Sequence, residues 1–263
     1  MSLSLIHLLF PALVPEPFGY GHYESEPNTH FILMEFLQID SGLPNPEKLA
    51  VAISELHKRG TSPTGRFGFD GSNCHGRMVQ EHYWDENWCR YFTWLLDIYY
   101  NEEIRVNGPY PEFETAYTVM RKHVIPRLLE PLQADGRTLT PCLIHGDLWH
   151  ENVGTNRETG GIALYDPDAW YAHHEFELGI WRCDFTKFGK EYLLAYLKRF
   201  PASEPEEEFE DRNRLYSLKS LISHSFYWPL ATTRVRKRLD YISFSHHFLG
   251  RLHGSLGLRG SRL

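Results

Sequence analysis

Apolar runs and helix-spaced apolar positions alternate in the first part of the chain. The run from Phe31 to Leu37 (FILMEFL) predicts a short buried strand, and turn-forming residues fill the segment from Gln38 to Pro44. A helix is predicted directly afterwards, because Asn45 suits an N-cap, Pro46 suits the first helical position and Gly60 can close the segment. The pattern therefore predicts a strand that leads into a well-delimited helix.

The middle of the chain predicts a long loop followed by helices. Gly, Ser, Pro and Asn are frequent from Thr61 to Arg77, which is typical of an ordered loop of the kind that often carries function. A helix follows, and Asp85 is its predicted cap. One face of that helix carries Trp88, Tyr91, Phe92, Leu95 and Tyr99. A second amphipathic helix is predicted to open at Pro111 and to bend or break near Pro126.

The hydrophobic period then changes to that of strands before it returns to that of helices. Cys142 to Ile144 predicts a short strand, and Val153 is expected to pair with Ile162 to Tyr165 across a turn-rich segment. Helices are predicted in the remainder, over 192–200, 215–227 and 239–252, and charged residues at 204–211 and 234–238 are expected on solvated helix faces. The mixture of short strands and many helices predicts an α+β protein.

Composition narrows the classes of partner. With 263 residues and about 150 residues per domain, one large domain or two unequal lobes are expected. Hydrophobic residues make up 42% of the chain, which is enough for a sizeable core. The net charge of −7 has the wrong sign for a nucleic acid or an anionic membrane surface. We therefore expect no nucleic-acid or membrane partner.

Cysteines and the apolar start bear on the compartment. Four scattered cysteines without a C-x-x-C pair suggest neither a disulfide framework nor a zinc cage, so a reducing, cytoplasmic location is expected. Met1 to Val14 is apolar enough for a signal-peptide core, but no Lys or Arg precedes Lys48 and no A-x-A-like cleavage site follows. A buried helix end that leads into a strand is the favoured interpretation.

Candidate chemistry concentrates in the segment His145 to Asn152 (HGDLWHEN), which lies between a predicted strand and a predicted hairpin. Phosphoryl transfer needs a carboxylate beside the accepting hydroxyl and oxygen ligands that hold Mg²⁺ against nucleotide phosphates. In kinases the base and an Asn ligand are five positions apart, and a second Asp follows the next strand. Asp147 and Asn152 have this separation, and Asp166 follows the predicted hairpin. An isolated Gly-Asp pair is common in turns. The strand, HGD, Asn152, hairpin and Asp166 occurring in this order indicate a phosphotransferase.

These motifs resemble those of the fructosamine kinase (ketosamine-3-kinase) family. The resemblance covers roughly residues 8 to 230 and includes SPTGRFGF (62–69), HGDLW (145–149) and the segment from Asp166 to Glu175. It implies a protein-kinase-like fold, similar to aminoglycoside phosphotransferases, with a remnant of the β-rich small lobe in residues 1–36 and a mostly helical large lobe in residues 37–263. The implied activity is ATP-dependent phosphorylation of the sugar 3-hydroxyl of ribulosamines or fructosamines, on small molecules or glycated proteins, which is a deglycation repair.

The resemblance also implies roles for individual residues. Asp147 would be the catalytic base, Asn152 and Asp166 would be ligands of Mg²⁺, and backbone groups at Glu35, Phe36 and Leu37 would meet the adenine of ATP. The residues on the substrate side would be Phe67, Phe69, Gln80, Trp84, Trp149, Tyr171 and Glu175. For the aromatic residues among them, packing of the large lobe is an equally good explanation.

Departures from the family pattern are also visible. His82, Asp168, His174 and Glu177 stand where the family usually has other residues, so the preference between ribulosamine and fructosamine stays open. A kinase small lobe supplies a glycine-rich loop and a strand lysine before the hinge, yet no lysine precedes Lys48. The resemblance therefore implies an N-terminally truncated family member with impaired Mg-ATP binding, either a fragment of an active kinase or a short protein that binds without efficient transfer.

Two other classes of function remain open. The histidines and acids around the motif, His145, Asp147, His150, Asp166, His173 and His174, could be imagined as the metal cluster of a hydrolase, although no H-x-x-x-H helix pair is present. His150 could equally be a loop residue that points to solvent. A non-catalytic, kinase-like binding module is the third class, and it would be recognised by partner binding that survives substitution of the acids.

Overall fold

The computed structural model describes residues 2–40 and 42–228. The helix predicted over 239–252 and the basic cluster at 234–238 lie outside the described residues. The chain divides into two compact units. The first comprises the described residues up to Glu86 together with Thr140–Ala202, and the second comprises Asn87–Leu139 and the described residues from Ser203 onward.

The first unit holds all nine strands of the described residues and four helices. Its strands are β1 (Pro17–His22), β2 (His30–Met34), β3 (Ile39–Asp40), β4 (Ser72–His75), β5 (Met78–Glu81), β6 (Cys142–Ile144), β7 (Val153–Asn156), β8 (Ile162–Leu164) and β9 (Trp170–Ala172). Its helices are α1 (Ser2–Leu9), α2 (Pro46–Arg59), α6 (His174–Glu177) and α7 (Lys190–Leu197). The strands form the antiparallel pairs β1–β2, β4–β5 and β6–β9 and the three-stranded sheet β3–β7–β8.

The predicted helix after the turn is confirmed as α2. The Asn45 side chain accepts hydrogen bonds from the backbone N–H groups of Glu47 and Lys48, at 3.0 and 3.2 Å. Gly60 ends the helix, where an added Cβ would lie 2.9 Å from the Cβ of Leu143 on β6. The apolar face of α2 packs against α7 and β6. This packing fixes the helix directly beside the strand that leads into the HGD segment.

The predicted hairpin after the HGD segment is confirmed as β7 and β8. Val153 pairs with Leu164 and Thr155 pairs with Ile162 in antiparallel register. Both residues of the Val153–Leu164 pair are buried. The hairpin therefore places Asn152 and Tyr165 side by side at the open end of the two strands, where the backbone N–H of Tyr165 donates to the carbonyl of Asn152 at 3.1 Å.

The second unit is helical in the described residues. Its helices are α3 (Trp88–Asn107), α4 (Pro111–Val119), α5 (Ile125–Leu129) and α8 (Phe209–Tyr227), and a π-helical turn (Met120–Val124) joins α4 to α5. Trp88 is fully buried and donates from its indole N–H to the hydroxyl of Tyr216, at 2.8 Å. The predicted bend near Pro126 takes the form of this π-helical turn, because proline lacks the N–H that a regular α-helical ladder needs.

Three sequence predictions of local structure differ from the structure. The run from Phe31 to Leu37 is a strand only over β2, and all five β2 residues are exposed rather than buried, because β2 pairs with β1 in a hairpin whose two faces are open. Asn87 caps α3 instead of Asp85, and its side chain accepts from the backbone N–H of Arg90 at 2.8 Å. The loop predicted over 61–77 contains β4, which turns through Gly76 at φ +57° into β5. A glycine with positive φ at the first position of a two-residue turn is typical of such hairpins.

Among the described residues, no helix combines the length and the apolar character that crossing a membrane requires. All four cysteines are free thiols, and burial raises the pKa of the Cys142 thiol to about 12.

Candidate active site

The HGD segment begins where the buried strand β6 ends. β6 pairs with β9, and His145, the next residue, has no exposed surface. Gly146 adopts φ +82°, a conformation that side chains disfavour, and an added Cβ there would overlap the backbone carbonyl of Asp168. Glycine is therefore required at this position by both conformation and space, and the turn directs the chain towards Asp147.

Asp147 and Asn152 are in direct contact. The Asn152 side-chain amide donates from Nδ2 to the Asp147 carbonyl at 2.9 Å and to Asp147 Oδ2 at 3.2 Å. Asn152 is 6% exposed, whereas Asp147 is half-buried. Because Nδ2 is committed to Asp147, the amide oxygen of Asn152 is the atom left for another partner. The five-residue spacing thus closes a small turn with a carboxylate at one end and an amide oxygen at the other.

Asp166 lies next to this turn because His145 forms hydrogen bonds with Tyr165 and Asp168, which lie on either side of Asp166. His145 Nε2 donates to the carbonyl of Tyr165 at 3.0 Å, and the His145 carbonyl accepts from the backbone N–H of Asp168 at 2.9 Å. His145 Nδ1 is then an acceptor, and the backbone N–H of Asp147 approaches it at 3.3 Å. The imidazole therefore links the segments that carry Asp147 and Asp166.

The backbone of Asp166 is itself unusual. Asp166 has φ +54°, one of two non-glycine residues with positive φ in the described chain, and its side chain is exposed. Such a conformation costs free energy and persists only where the surroundings impose it, which is common at functional sites. Here the two hydrogen bonds to His145 on either side of Asp166 impose it.

Glu177 anchors the start of the HGD segment from below. Its carboxylate accepts hydrogen bonds from the backbone N–H groups of His145 and Gly146, the second at 3.0 Å. Burial raises the pKa of Glu177, but the contact with His57 and these interactions with His145 outweigh it and hold the pKa below its usual value. Glu177 is thus a buried, ionised group that fixes the backbone immediately before Asp147.

The residues expected to meet adenine lie at the end of the β1–β2 hairpin. Glu35 donates its backbone N–H to the Glu16 carbonyl at 2.8 Å, and its side chain accepts from the Glu16 N–H at 3.2 Å. Phe36 is 88% exposed and Leu37 is half-buried. The three residues thus keep exposed or half-buried surface directly after β2, while the Glu35 N–H is already used by Glu16.

The residues expected on the substrate side differ in exposure. Trp84 and Trp149 are half-buried, and the Trp84 ring lies 5.9 Å from that of Tyr171. The remaining five, Phe67, Phe69, Gln80, Tyr171 and Glu175, are all buried. For the buried aromatic residues, this placement favours packing as their main role. Trp84 and Trp149 keep the accessible surface that contact with a substrate needs.

Gln80 belongs to a buried polar cluster formed by the β4–β5 hairpin and Asp168. Gln80 Nε2 donates to Asp168 Oδ2 at 2.9 Å and to Asn73 Oδ1 at 3.3 Å. His75 Nδ1 lies 3.3 Å from the same Asp168 oxygen, and His82 Nε2 lies 2.7 Å from Asn73 Oδ1. Since the Asp168 backbone also binds His145, the cluster supports the segment that carries Asp166.

His145 lies between the segments of Asp147 and Asp166, but the described residues show no group of three metal-ligand atoms there. The alternative in which His150 points to solvent is wrong, because its side chain is 8% exposed and lies against Trp149, with ring centroids 5.1 Å apart. Burial first, and then Lys187, lowers its pKa, so His150 is neutral at neutral pH. Among the described residues, metal-ligand atoms from three side chains come together at His173, His174 and Glu175, all of which are buried.

Sequence reasoning did not identify the contacts that hold this site in place. His57 on α2 and Tyr196 on α7 lie behind Glu177, more than a hundred residues apart in sequence, and no local motif marks them. Glu177 was noticed only as a departure from a family pattern. The local signals, the glycine in HGD and the spacing to Asn152, identify the loop but not its support.

Comparisons with known proteins point to one family. The family model described as fructosamine kinase matches residues 1–231. Protein-ribulosamine 3-kinase of Arabidopsis thaliana is 28% identical over 211 residues, which are 80% of this chain and 60% of that protein. Ketosamine-3-kinase of Mus musculus is 29% identical over 160 residues, covering 60% of this chain and 48% of that protein. The chain thus spans 60% or less of these two relatives.

Solved structures show the fold. A Haemophilus somnus protein with the provisional name fructosamine-3-kinase superposes with a TM-score of 0.69 at 19% identity, over 92% of this chain and 77% of that one. The aminoglycoside phosphotransferase APH(4)-Ia, solved with ADP and hygromycin B, gives 0.62 at 15% identity, over 93% of this chain and 81% of that one. These likenesses confirm the predicted α+β, protein-kinase-like fold.

Proposed function

The chain belongs to the fructosamine kinase family, and from this premise we propose that it transfers the γ-phosphoryl group of ATP to the sugar 3-hydroxyl of ketosamines. The substrates are ribulosamines or fructosamines, free or attached to glycated proteins, and the activity is a deglycation repair. The relatives named protein-ribulosamine 3-kinase and ketosamine-3-kinase support this substrate class. Residues 1–36 would belong to the small lobe and residues 37–263 to the large lobe.

One observation carries the proposal at the level of this chain. Asp147, the amide of Asn152 and the strained Asp166 lie on neighbouring turns that His145 links together. A carboxylate beside two further oxygen donors is the arrangement that phosphoryl transfer requires from the protein. The arrangement arises from the described residues alone, independently of any relative.

Asp147 takes the role of general base. Its Oδ2 atom accepts a hydrogen bond from Asn152, which leaves Oδ1 for the sugar hydroxyl. The hydroxyl transfers its proton to this carboxylate as its oxygen bonds to the γ-phosphorus, while the bond between that phosphorus and the bridging oxygen of ADP breaks. Glu177 and His145 fix the backbone on the N-terminal side of Asp147, so that the carboxylate has little freedom to turn away.

The residues present fit a bound Mg²⁺ ion. Asn152 offers its amide oxygen, since Nδ2 is already used, and Asp166 offers an exposed carboxylate. Oxygen donors of this kind suit Mg²⁺, which uses one or two carboxylates together with phosphate oxygens. When bound, the ion neutralises negative charge on the nucleotide phosphates. Asn152 and Asp166 hold their positions through the β7–β8 hairpin and the two bonds to His145.

Other residues bind the two substrates. Backbone groups of Glu35, Phe36 and Leu37, which are exposed or half-buried residues, receive the adenine of ATP. Trp84 and Trp149 offer half-buried rings to the sugar and its amine, while Gln80 and Glu175 act from buried positions as supports. Phe67, Phe69 and Tyr171 shape the floor of this region.

Phosphate transfer from labelled ATP to a synthetic fructosyl-amine and ribulosyl-amine tests the proposal directly. We expect Mg²⁺-dependent label in a 3-phosphate of the ketosamine, because Asp147 and the oxygen donors of Asn152 and Asp166 are the groups that phosphoryl transfer requires. Asp147→Asn should lower the rate at least about a hundredfold, as expected for loss of a general base.

The matched control is Glu158→Gln, which changes an exposed carboxylate in the turn between β7 and β8. This variant should transfer phosphate at the native rate. Equal turnover by Asp147→Asn and the native chain would refute the role of Asp147. ATP-independent hydrolysis that requires copurified zinc or iron would replace the proposal with the metallohydrolase alternative.

A further inference from the structure

The buried Glu177 carboxylate is held by contacts on two sides. The carboxylate meets two backbone N–H groups on one side and the ring of His57 on the other, where His57 Nε2 lies 3.6 Å from Glu177 Oε2. This separation is longer than a hydrogen bond, so the interaction is electrostatic. Its sign depends on whether His57 Nε2 carries a proton. A protonated nitrogen attracts the carboxylate, and a bare lone pair repels it.

A hydroxyl behind His57 decides where that proton sits. On the far side of the ring, His57 Nδ1 lies 2.7 Å from the hydroxyl of Tyr196, and His174 Nδ1 lies 3.1 Å from the same hydroxyl. His57 has no exposed surface, and Tyr196 is equally buried. Four side chains from α2, α6 and α7 therefore form a continuous buried series, in the order His174, Tyr196, His57 and Glu177.

The protons available to these side chains determine which atoms donate and which accept along the series. If His57 were neutral with its proton on Nδ1, the lone pair of Nε2 would face the Glu177 carboxylate in a buried environment, which is unfavourable. If the Tyr196 hydroxyl instead donates a hydrogen bond to His57 Nδ1, the proton of the neutral His57 is on Nε2 and points towards Glu177. The tyrosine oxygen can then accept from His174 Nδ1. In this arrangement both hydrogen bonds of the Tyr196 hydroxyl are made, and His57 Nε2 turns its N–H towards the Glu177 carboxylate at 3.6 Å, without a cation in the interior.

The chemistry of Tyr196 agrees with its role as a donor. Burial, followed by the negative charges of Cys142, Glu177 and Glu175 in their ionised forms, raises the pKa of Tyr196 well above its usual value. The hydroxyl therefore keeps its proton at neutral pH. The ring of His174 stacks on Phe200 with centroids 4.0 Å apart, which fixes the orientation of the imidazole that faces the hydroxyl.

We propose that Tyr196 is a positioning residue of the active site. Its hydroxyl donates a hydrogen bond to His57 Nδ1 and thereby favours the His57 tautomer whose N–H, on Nε2, points towards Glu177. Glu177 in turn holds the backbone of His145 and Gly146, the two residues before Asp147. Two hydrogen bonds at Tyr196 and the electrostatic contact between His57 and Glu177 thus connect α7, through α2, to the placement of the base. Its consequence for the rate rests on the proposed function, whereas the proton position on His57 does not.

The position of the proton is measured on the unmodified chain by long-range ¹H–¹⁵N spectra of ¹⁵N-histidine-labelled protein, assigned with a His57→Gln variant. We expect a neutral His57 with the proton on Nε2. A proton on Nδ1, whether in the other neutral tautomer or in an imidazolium ion, would overturn the proposal, because Tyr196 could not then be the donor.

The effect on the base is measured with Tyr196→Phe and a matched control, Tyr192→Phe. Tyr192 is on the same helix, and its substitution also removes one buried hydrogen bond, from its hydroxyl to the Pro44 carbonyl at 2.7 Å, which is not part of the series that ends at Glu177. Tyr196→Phe should lower kcat about tenfold with little change in KM for the ketosamine, the effect of weakening one interaction with a charged group. Tyr192→Phe should leave kcat and the His57 signals unchanged.

The two measurements separate the two hypotheses. A native chain that transfers no phosphate refutes the proposed function, while the spectra of His57 still decide the direction of the hydrogen-bond series. If both tyrosine variants lower kcat equally and leave the His57 signals unchanged, Tyr196 has only a structural role and the positioning proposal is wrong.

Discussion

At the scale of single residues, Gly146 is the position that most constrains the site. Both Gly146 and Gly65 adopt positive φ, at +82° and +68°, but an added Cβ at Gly65 meets no neighbour within 4 Å. At Gly146 the same atom would overlap the carbonyl of Asp168. A side chain at Gly65 would therefore be disfavoured by the backbone conformation alone, whereas one at Gly146 would be disfavoured by both the conformation and a steric overlap.

We predict that Gly65→Ala lowers the free energy of unfolding by about 1 kcal/mol, the cost of a left-handed conformation. Gly146→Ala should cost several times more and should move the backbone signals of His145 and Asp147, because the segment must shift away from Asp168. Urea unfolding and amide spectra measure both effects. Equal costs in the two variants would show that the contact with Asp168 is not tight.

At the scale of secondary-structure elements, α2 has two tasks. Its N-terminus begins at a cap supplied by Asn45, and its C-terminal turn carries His57 towards Glu177. The helix packs between α7 and β6, so its position sets the spacing behind the HGD segment. A loss of α2 stability should therefore disturb the positions of Glu177 and the HGD segment.

We predict that Asn45→Ala lowers the free energy of unfolding by about 1 kcal/mol, since two backbone N–H groups lose their acceptor. Asn45→Asp keeps an acceptor oxygen and adds a negative charge at the helix N-terminus, so it should retain the native stability. Urea denaturation compares the variants. If Asn45→Asp were as destabilised as Asn45→Ala, the side-chain cap would not contribute as the geometry indicates.

Elements with local signals could be predicted from the sequence. Asn45, Pro46 and Gly60 mark α2 within its own residues, and the turn-rich segment after Val153 marks the β7–β8 hairpin. The β4–β5 hairpin was missed because SNCH and MVQE lack an apolar alternation, although Gly76 signals the turn. The exposure of β2 could not be read from its apolar sequence, because burial depends on which layers cover a strand and not on its composition.

The candidate site was predictable to the same limited degree. The spacing of Asp147, Asn152 and Asp166 lies in one short segment, so it could be recognised by eye. The support by His57 and Tyr196 depends on contacts between residues 139 positions apart, which no local pattern encodes. The cap of α3 was misplaced by two residues for a simpler reason, since both Asp85 and Asn87 are good capping residues and only the backbone path decides between them.

At the scale of the whole molecule, the described chain concentrates its chemistry in one of its two units. The first unit contains all nine described strands, the HGD segment, the β7–β8 hairpin and the buried series behind Glu177. The second unit is built from helices around aromatic residues such as Trp88 and Tyr216. The proposed phosphoryl transfer therefore depends on whether the first unit holds a metal ion beside Asp147.

Paramagnetic Mn²⁺, which replaces Mg²⁺ at oxygen ligands, locates that ion most directly when it is added with excess ATP to the ¹⁵N-labelled chain. The account predicts that the signals of Asp147, Asn152 and Asp166 broaden first, and that Asn152→Ala and Asp166→Asn weaken this broadening. Glu158→Gln should leave it unchanged. Broadening centred instead on His173, His174 and Glu175, or none that depends on ATP, would contradict the central claim that these three loop residues form a phosphotransfer site.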